Sequence, residues 1–275
     1  MKFPETDIVT DIRFAVETTE LATALGVCRP LLDEFGAVAV EIERANPESP
    51  RTGFLASLFF TCSVAEGETI EQAMRRAVRP AIVKYRLNDE NLEIHGDPDR
   101  RGFASLRFQK LKVDGYVLFR VVAERGGQET RAPTSVARAD STPREETDII
   151  ARVHLRLPVA DLNTALDRCL PLVASIGASV IQIVSSRPAG LPEEFCEVAL
   201  LSATPAIDGE AAEPGLRRVA TKLAGQLGLD PDAFEIRGTG DVLIGAIENA
   251  TWNSGAEQPV EALYVRVDDD PLYQD

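Results

Sequence analysis

Cys28-Arg29-Pro30-Leu31-Leu32, followed by Gly36-Ala37, recurs as Cys169-Leu170-Pro171-Leu172-Val173, followed by Gly177-Ala178. The two stretches lie 141 residues apart, and the same spacing carries Phe14 to Leu155, Val16 to Leu157, Leu25 to Leu166, Val40 to Ile181 and Phe54 to Phe195. A repeat of this length reads as one unit duplicated, giving two similar domains expected to meet across a pseudo-twofold axis. The expected division is 1–125 for the first repeat, 126–147 for a flexible linker and 148–275 for the second repeat. The linker is rich in Gly, Ser, Thr, Pro and charge and nearly devoid of large apolar residues, so it has little with which to build a core.

Within the first repeat, Ile12, Phe14 and Val16 alternate with Arg13, Ala15 and Glu17, the pattern of a half-buried strand. A helix is predicted from about Thr19 to Phe35, with Leu21, Leu25, Cys28, Leu32 and Phe35 on one stripe and Gly36 as its stop. Pro30, and Pro171 in the second repeat, sit inside their helices and are expected to bend or break them one turn earlier. Strands follow at 37–44 and 54–63. A second helix opens at Thr69-Ile70-Glu71-Gln72, which has the form of a capping box, and a short strand follows at 92–94. Strands near 103–113 and 116–123, joined at Asp114-Gly115, add a hairpin.

This order defines an α+β fold: tandem duplicated ferredoxin-like domains, each βαββαβ plus a hairpin, forming an intramolecular pseudo-dimer. Both helices of such a unit cover one sheet face and leave the other open. The third strands, Phe54 to Phe60 and Phe195 to Leu201, are apolar on both sides and therefore need cover on both. The natural cover is the other repeat. In element order such a pairing resembles the dimeric α/β barrel group, whose members include cofactor-independent monooxygenases, isomerases, cyclases and haem-binding proteins. That resemblance leaves the activity open.

Composition narrows the possibilities. Of 275 residues, 44% are hydrophobic and 27% charged, with a formal net charge of −15. The acidity opposes sequence-independent nucleic-acid binding, which needs clustered Lys and Arg to displace counterions from phosphate. No apolar run approaches the about 18 residues that would mark a membrane span, and the basic-then-apolar start of a secretory signal is missing, so a cytoplasmic location is expected. The four cysteines and two histidines have no zinc spacing, and neither a metal nor a cofactor is expected. Cys28 and Cys169 read as small buried hydrophobes.

Candidate site residues come from the open face. Alternation places Arg13, Glu41 and Glu43 there in the first repeat and His154 and Arg156 in the second. His154 is the candidate general acid or base. Arg13, Arg156, Glu41 and Glu43 are the candidate ligand-binding residues. Val153-His154-Leu155-Arg156-Leu157-Pro158-Val159-Ala160-Asp161-Leu162 is similar to the opening of a vicinal oxygen chelate module, in which the strand His binds metal. The extra amphipathic helix in each repeat does not fit that β-α-β-β-β fold. Arg75-Arg76 and Arg217-Arg218, at the starts of the second helices, suggest either an anion site or an ordinary basic helix face. His95-Gly96-Asp97-Pro98-Asp99 reads as a turn.

The expected function is a non-catalytic binding or scaffold protein that holds a protein partner or a small regulatory ligand, comparable by fold to ACT-type modules. The alternative is a cofactor-independent enzyme acting on an aromatic or polyketide-like molecule, with His154 central.

Overall fold

The structure, a computed structural model, describes residues 3–45, 53–98, 102–127, 148–186, 195–239, 242–248 and 260–267. Most of the expected linker, Pro47, Pro50, Asp99, the Asn249-Ala250-Thr251 triplet, Trp252 and the acidic stretch Asp268-Asp269-Asp270 lie outside these residues. The fold is mixed α+β, with antiparallel sheet pairing and four α-helices among the described residues. The chain divides into two compact units, Met1–Ile42 with Arg51–Ala132 and Glu43–Pro50 with Pro133–Asp275.

The first unit runs β1 (Asp7–Val16), α1 (Leu21–Phe35), β2 (Ala39–Arg44, whose last two residues are counted with the second unit), β3 (Phe54–Ser63), α2 (Ile70–Tyr85), β4 (Leu92–His95), β5 (Phe103–Leu106), β6 (Leu111–Val113) and β7 (Tyr116–Arg125). Its strands lie in the order β2-β3-β1-β7-β5-β4, with β6 also on β7. The second unit runs β8 (Ile149–Leu157), α3 (Leu162–Ile176), β9 (Val180–Ser186), β10 (Phe195–Thr204), α4 (Ala212–Leu227), β11 (Glu235–Thr239), β12 (Val242–Glu248) and β13 (Val260–Val267). Its order is β9-β10-β8-β13-β12-β11, which is the order of the first unit. In both, the strand directly after the second helix does not lie beside the first strand. β7 takes that place in the first unit and β13 in the second, while β4 and β11 stand at the edge.

Cores form where the sequence alternates. Ile8, Ile12, Phe14 and Val16 of β1, Ala56, Leu58 and Phe60 of β3 and Leu118, Val121 and Ala123 of β7 are buried on one sheet face. Against that face α1 packs Leu25, Cys28 and Leu32 and α2 packs Met74, Val78 and Ile82. Phe35 stacks on Phe60 at 5.4 Å, and Tyr85 meets Tyr116 edge-on. Burial pushes the Cys28 and Cys169 thiols up to about 12, so both remain neutral and behave as hydrophobes.

Neither Pro30 nor Pro171 breaks its helix: α1 runs unbroken through Pro30 and α3 through Pro171, as α2 does through Pro80. The reason is their placement. Pro30 and Pro171 are exposed, as are Gly26 and Asp167 four residues earlier, so water can satisfy each carbonyl that the missing N–H leaves unbonded.

Helix ends follow the local signals closely. Gly36 stops α1 in the left-handed region at φ 58°. At the start of α2 the capping box is complete: Gln72 N–H donates to Thr69 Oγ1 at 3.2 Å, and Thr69 N–H donates to Gln72 Oε1 at 2.9 Å. The end of α2 is unusual, because Arg86 adopts φ 52° where α4 ends on Gly228 at φ 69°. The Arg86 side chain is exposed and a left-handed conformation is costly for a residue with a Cβ. Arg86→Gly is therefore expected to stabilise the protein by about 0.5–1 kcal/mol, read as a higher midpoint in urea with an unchanged slope.

The paired arginines are structural. Arg76 grips Glu68 through Nε at 2.9 Å and Nη2 at 2.7 Å, and also donates to Ser63 O at 2.8 Å. Arg218 repeats this with Glu210 at 2.8 and 2.7 Å and with Pro205 O at 3.2 Å. Arg75 and Arg217 pair with Glu71 and Glu213, each one helical turn away. The anion-site reading is thus corrected: carboxylates of the chain already hold these guanidiniums. The hydrogen bonds from Arg76 and Ala65 hold the Glu68 carboxyl down at about 2.

Candidate functional site

The sheet face away from the helices was expected to carry function, and in the first unit that face is crowded with charge. Asp11 lies on this face of β1, opposite Phe59 of β3 and Val122 of β7. Arg13, two residues on, points the same way because strand side chains alternate. It lies opposite Ser57 and Arg120. Two guanidiniums facing each other across a ladder would repel, and Asp11 answers both. Arg13 Nε donates to Asp11 Oδ2 at 2.8 Å, and Arg120 Nε stands 4.0 Å from the same oxygen.

Burial sets the character of this group. Asp11 and Ser57 are buried, at 8% and 6% exposure, although they lie on the face without helices. Phe59 is buried there too, with Phe3 from the N-terminal segment packed 6.0 Å from its ring. Desolvation raises the Asp11 carboxyl above its ordinary range, while Arg13 and Arg120 pull it back. Asp11 Oδ1 is buried and makes no hydrogen bond, an arrangement that leaves a desolvated acceptor in need of a donor. The Arg120 side chain is 41% exposed and meets Asp11 only at ion-pair distance.

The other residues expected from sequence fall as follows. Arg13 and Glu41 belong to the first unit, whereas Glu43, His154 and Arg156 belong to the second. Glu41 is buried and Glu43 half-buried on β2. His154 is half-buried on β8, opposite Ala199 of β10 and position 262 of β13. Arg156 is paired with Glu197 at 3.9 Å and lies 4.6 Å above the Phe195 ring, a cation–π contact on the same face. Next to His154 this face turns apolar, with Ile150, Val180, Ala199, Leu201 and Ala203 forming a buried cluster. Among the described residues no group of three or more His, Cys, Asp or Glu side chains is arranged to hold a metal.

Reasoning from sequence missed Asp11 and Arg120. Asp11 was within reach, because extending the alternation of β1 back through Thr10 to Ile8 puts Asp11 on the side of Arg13. Arg120 was not, since its place opposite Arg13 follows only from the pairing of β1 with β7 and from the register shift just after Arg13.

Neither the protein-family models nor the curated proteins compared with the chain match it. No described helix is long and apolar enough to cross a membrane.

Proposed function

We propose that the chain is a tandem duplication of a ferredoxin-like unit and works as a non-catalytic binding protein for a small regulatory ligand. The duplication is supported by the common strand order and by the Arg76–Glu68 and Arg218–Glu210 clamps, which repeat at one spacing down to the carbonyl each arginine reaches. Each unit then departs from the simple ferredoxin-like order by the displaced edge strand.

One observation carries the binding role: a buried acceptor, Asp11 Oδ1, without a hydrogen bond, beside the half-exposed Arg120 guanidinium. A ligand that offers a cationic or hydroxyl donor to Oδ1 and an anionic group to Arg120 satisfies both. Small zwitterions of the α-amino-acid type have that chemistry at the required short separation. Hydrogen bonds to charged groups contribute about 1.5–3 kcal/mol, so Arg120→Leu is expected to weaken binding roughly 10- to 100-fold.

The test is titration calorimetry of the whole protein with free α-amino acids, alongside the corresponding amines and carboxylic acids that lack one of the two groups. At least one zwitterion should bind, its single-group analogues should not, and Arg120→Leu and Asp11→Asn should each abolish or greatly weaken the heat. Because burial raises the Asp11 carboxyl, affinity should fall as pH drops through a range above that of an ordinary aspartate. Absence of binding across the set, or binding indifferent to both substitutions, would overturn the proposal.

A further inference from the structure

We propose that Ser105 is an acyl-accepting nucleophile activated by His95, a site separate from the Asp11 region. Both residues sit on the helix-free face near the sheet edge, Ser105 on β5 and His95 at the end of β4. The register sets Glu93 of β4 directly opposite Ser105 and His95 opposite Phe103. Four side chains therefore converge on one small area of two adjacent strands.

The geometry is that of a serine with a base in contact. His95 Nε2 lies 2.9 Å from Ser105 Oγ. The imidazole stacks on the Phe103 ring with centroids 4.8 Å apart, which fixes the plane of the ring and hence the direction of Nε2. Glu93 Oε2 stands 3.6 Å from the same nitrogen and is itself held by Arg107 Nε at 2.9 Å. With the ring proton on Nδ1, Nε2 accepts from the serine hydroxyl. When Nε2 takes that proton the ring becomes cationic beside a carboxylate already in place. The cluster is open to reagents, since the His95 and Glu93 side chains are 39% and 35% exposed.

The substrate class is a small activated ester or thioester. Ser105 Oγ bonds to the acyl carbon while its proton passes to His95 Nε2. The C–O or C–S bond to the leaving group then breaks, and the leaving group takes the proton back from Nε2. The product is an O-acyl serine and a free alcohol or thiol, with no change of oxidation state.

The test uses the full chain and p-nitrophenyl acetate, with release of p-nitrophenolate timed and the acetylated residue located by peptide mass mapping. One acetyl group per chain on Ser105 is expected. Ser105→Ala should remove it. His95→Gln, which keeps a polar group of similar reach, should slow acetylation about 100-fold while the circular-dichroism spectrum stays native. Glu93→Gln, a change at a positioning residue, should slow acetylation less than His95→Gln does, and Glu93→Asp, which keeps the carboxylate, should restore part of the lost rate. Acetylation only at lysines or the N-terminus, or at Ser105 with an unchanged rate in His95→Gln, would overturn the assignment. Neither outcome bears on the zwitterion titration, which involves different residues.

Discussion

Phe59→Ala is expected to lower the stability of the protein by about 3–5 kcal/mol, the range for emptying a buried aromatic site. The prediction is sharp because Phe59 lies on the sheet face without helices. On a solvent-facing sheet surface the same substitution would cost under about 0.5 kcal/mol. Phe59 is 1% exposed, however, with Phe3 against its ring and Asp11 opposite on β1. Phe103 is a built-in control, since it lies on the same face near the edge and is 37% exposed. Urea unfolding of Phe59→Ala and Phe103→Ala side by side should give a large drop in midpoint for the first and a small one for the second. Equal small effects would mean that this face is not part of the core.

Gly53→Ala is expected to cost about 2–4 kcal/mol, combining backbone strain with a steric clash. Gly53 has φ 110°, a conformation that residues with a Cβ rarely adopt. A Cβ built there would fall 2.2 Å from Val16 O and 2.8 Å from Thr18 N, both backbone atoms that no side-chain rotation can move aside. The residue sits where β3 begins alongside the end of β1, so relief would require the two strands to part at Val16 and Phe54. Denaturant unfolding of Gly53→Ala against Gly26→Ala makes the comparison. Gly26 has nothing within 4 Å of its would-be Cβ and lies in a helix, where alanine is favoured by about 1 kcal/mol. The first variant should lose stability and the second should gain a little. Similar behaviour of the two would show that the strain at Gly53 is released at no cost.

Much of the local structure was legible because its signals involve residues a few positions apart. The capping box at Thr69 and Gln72, the Gly36 stop, the Asp114-Gly115 turn between β6 and β7 and the limits of β3 all appear where the residues indicate. A break at Pro30 and Pro171 does not occur, because local rules penalise the missing hydrogen bond without knowing whether the freed carbonyl faces water. Arg75-Arg76 and Arg217-Arg218 left an anion site and a basic helix face both open, because the partners of Arg76 and Arg218, Glu68 and Glu210, lie in the preceding loops.

For the candidate site the division is sharper. Alternation alone assigned Arg13, Glu41, Glu43, His154 and Arg156 to one side of their strands, since the strand period of two is a property of the backbone. The strand-neighbour choice was beyond alternation: the short strand after α2 was expected to close the unit, yet β7 lies beside β1 and β4 stands at the edge. Hydrogen-bonded strand pairing joins segments distant in sequence, and it is decided by which sets of side chains bury together rather than by any one segment. That pairing places Arg120 across from Arg13, carries Ser105 to His95 and buries Asp11. The sequence by itself determined the recurring stretch around Cys28 and Cys169, the stop of α1 at Gly36, the capped start of α2 and the side of its strand that Arg13 takes. Only the tertiary structure decided which charges share a surface and which of them have lost their water.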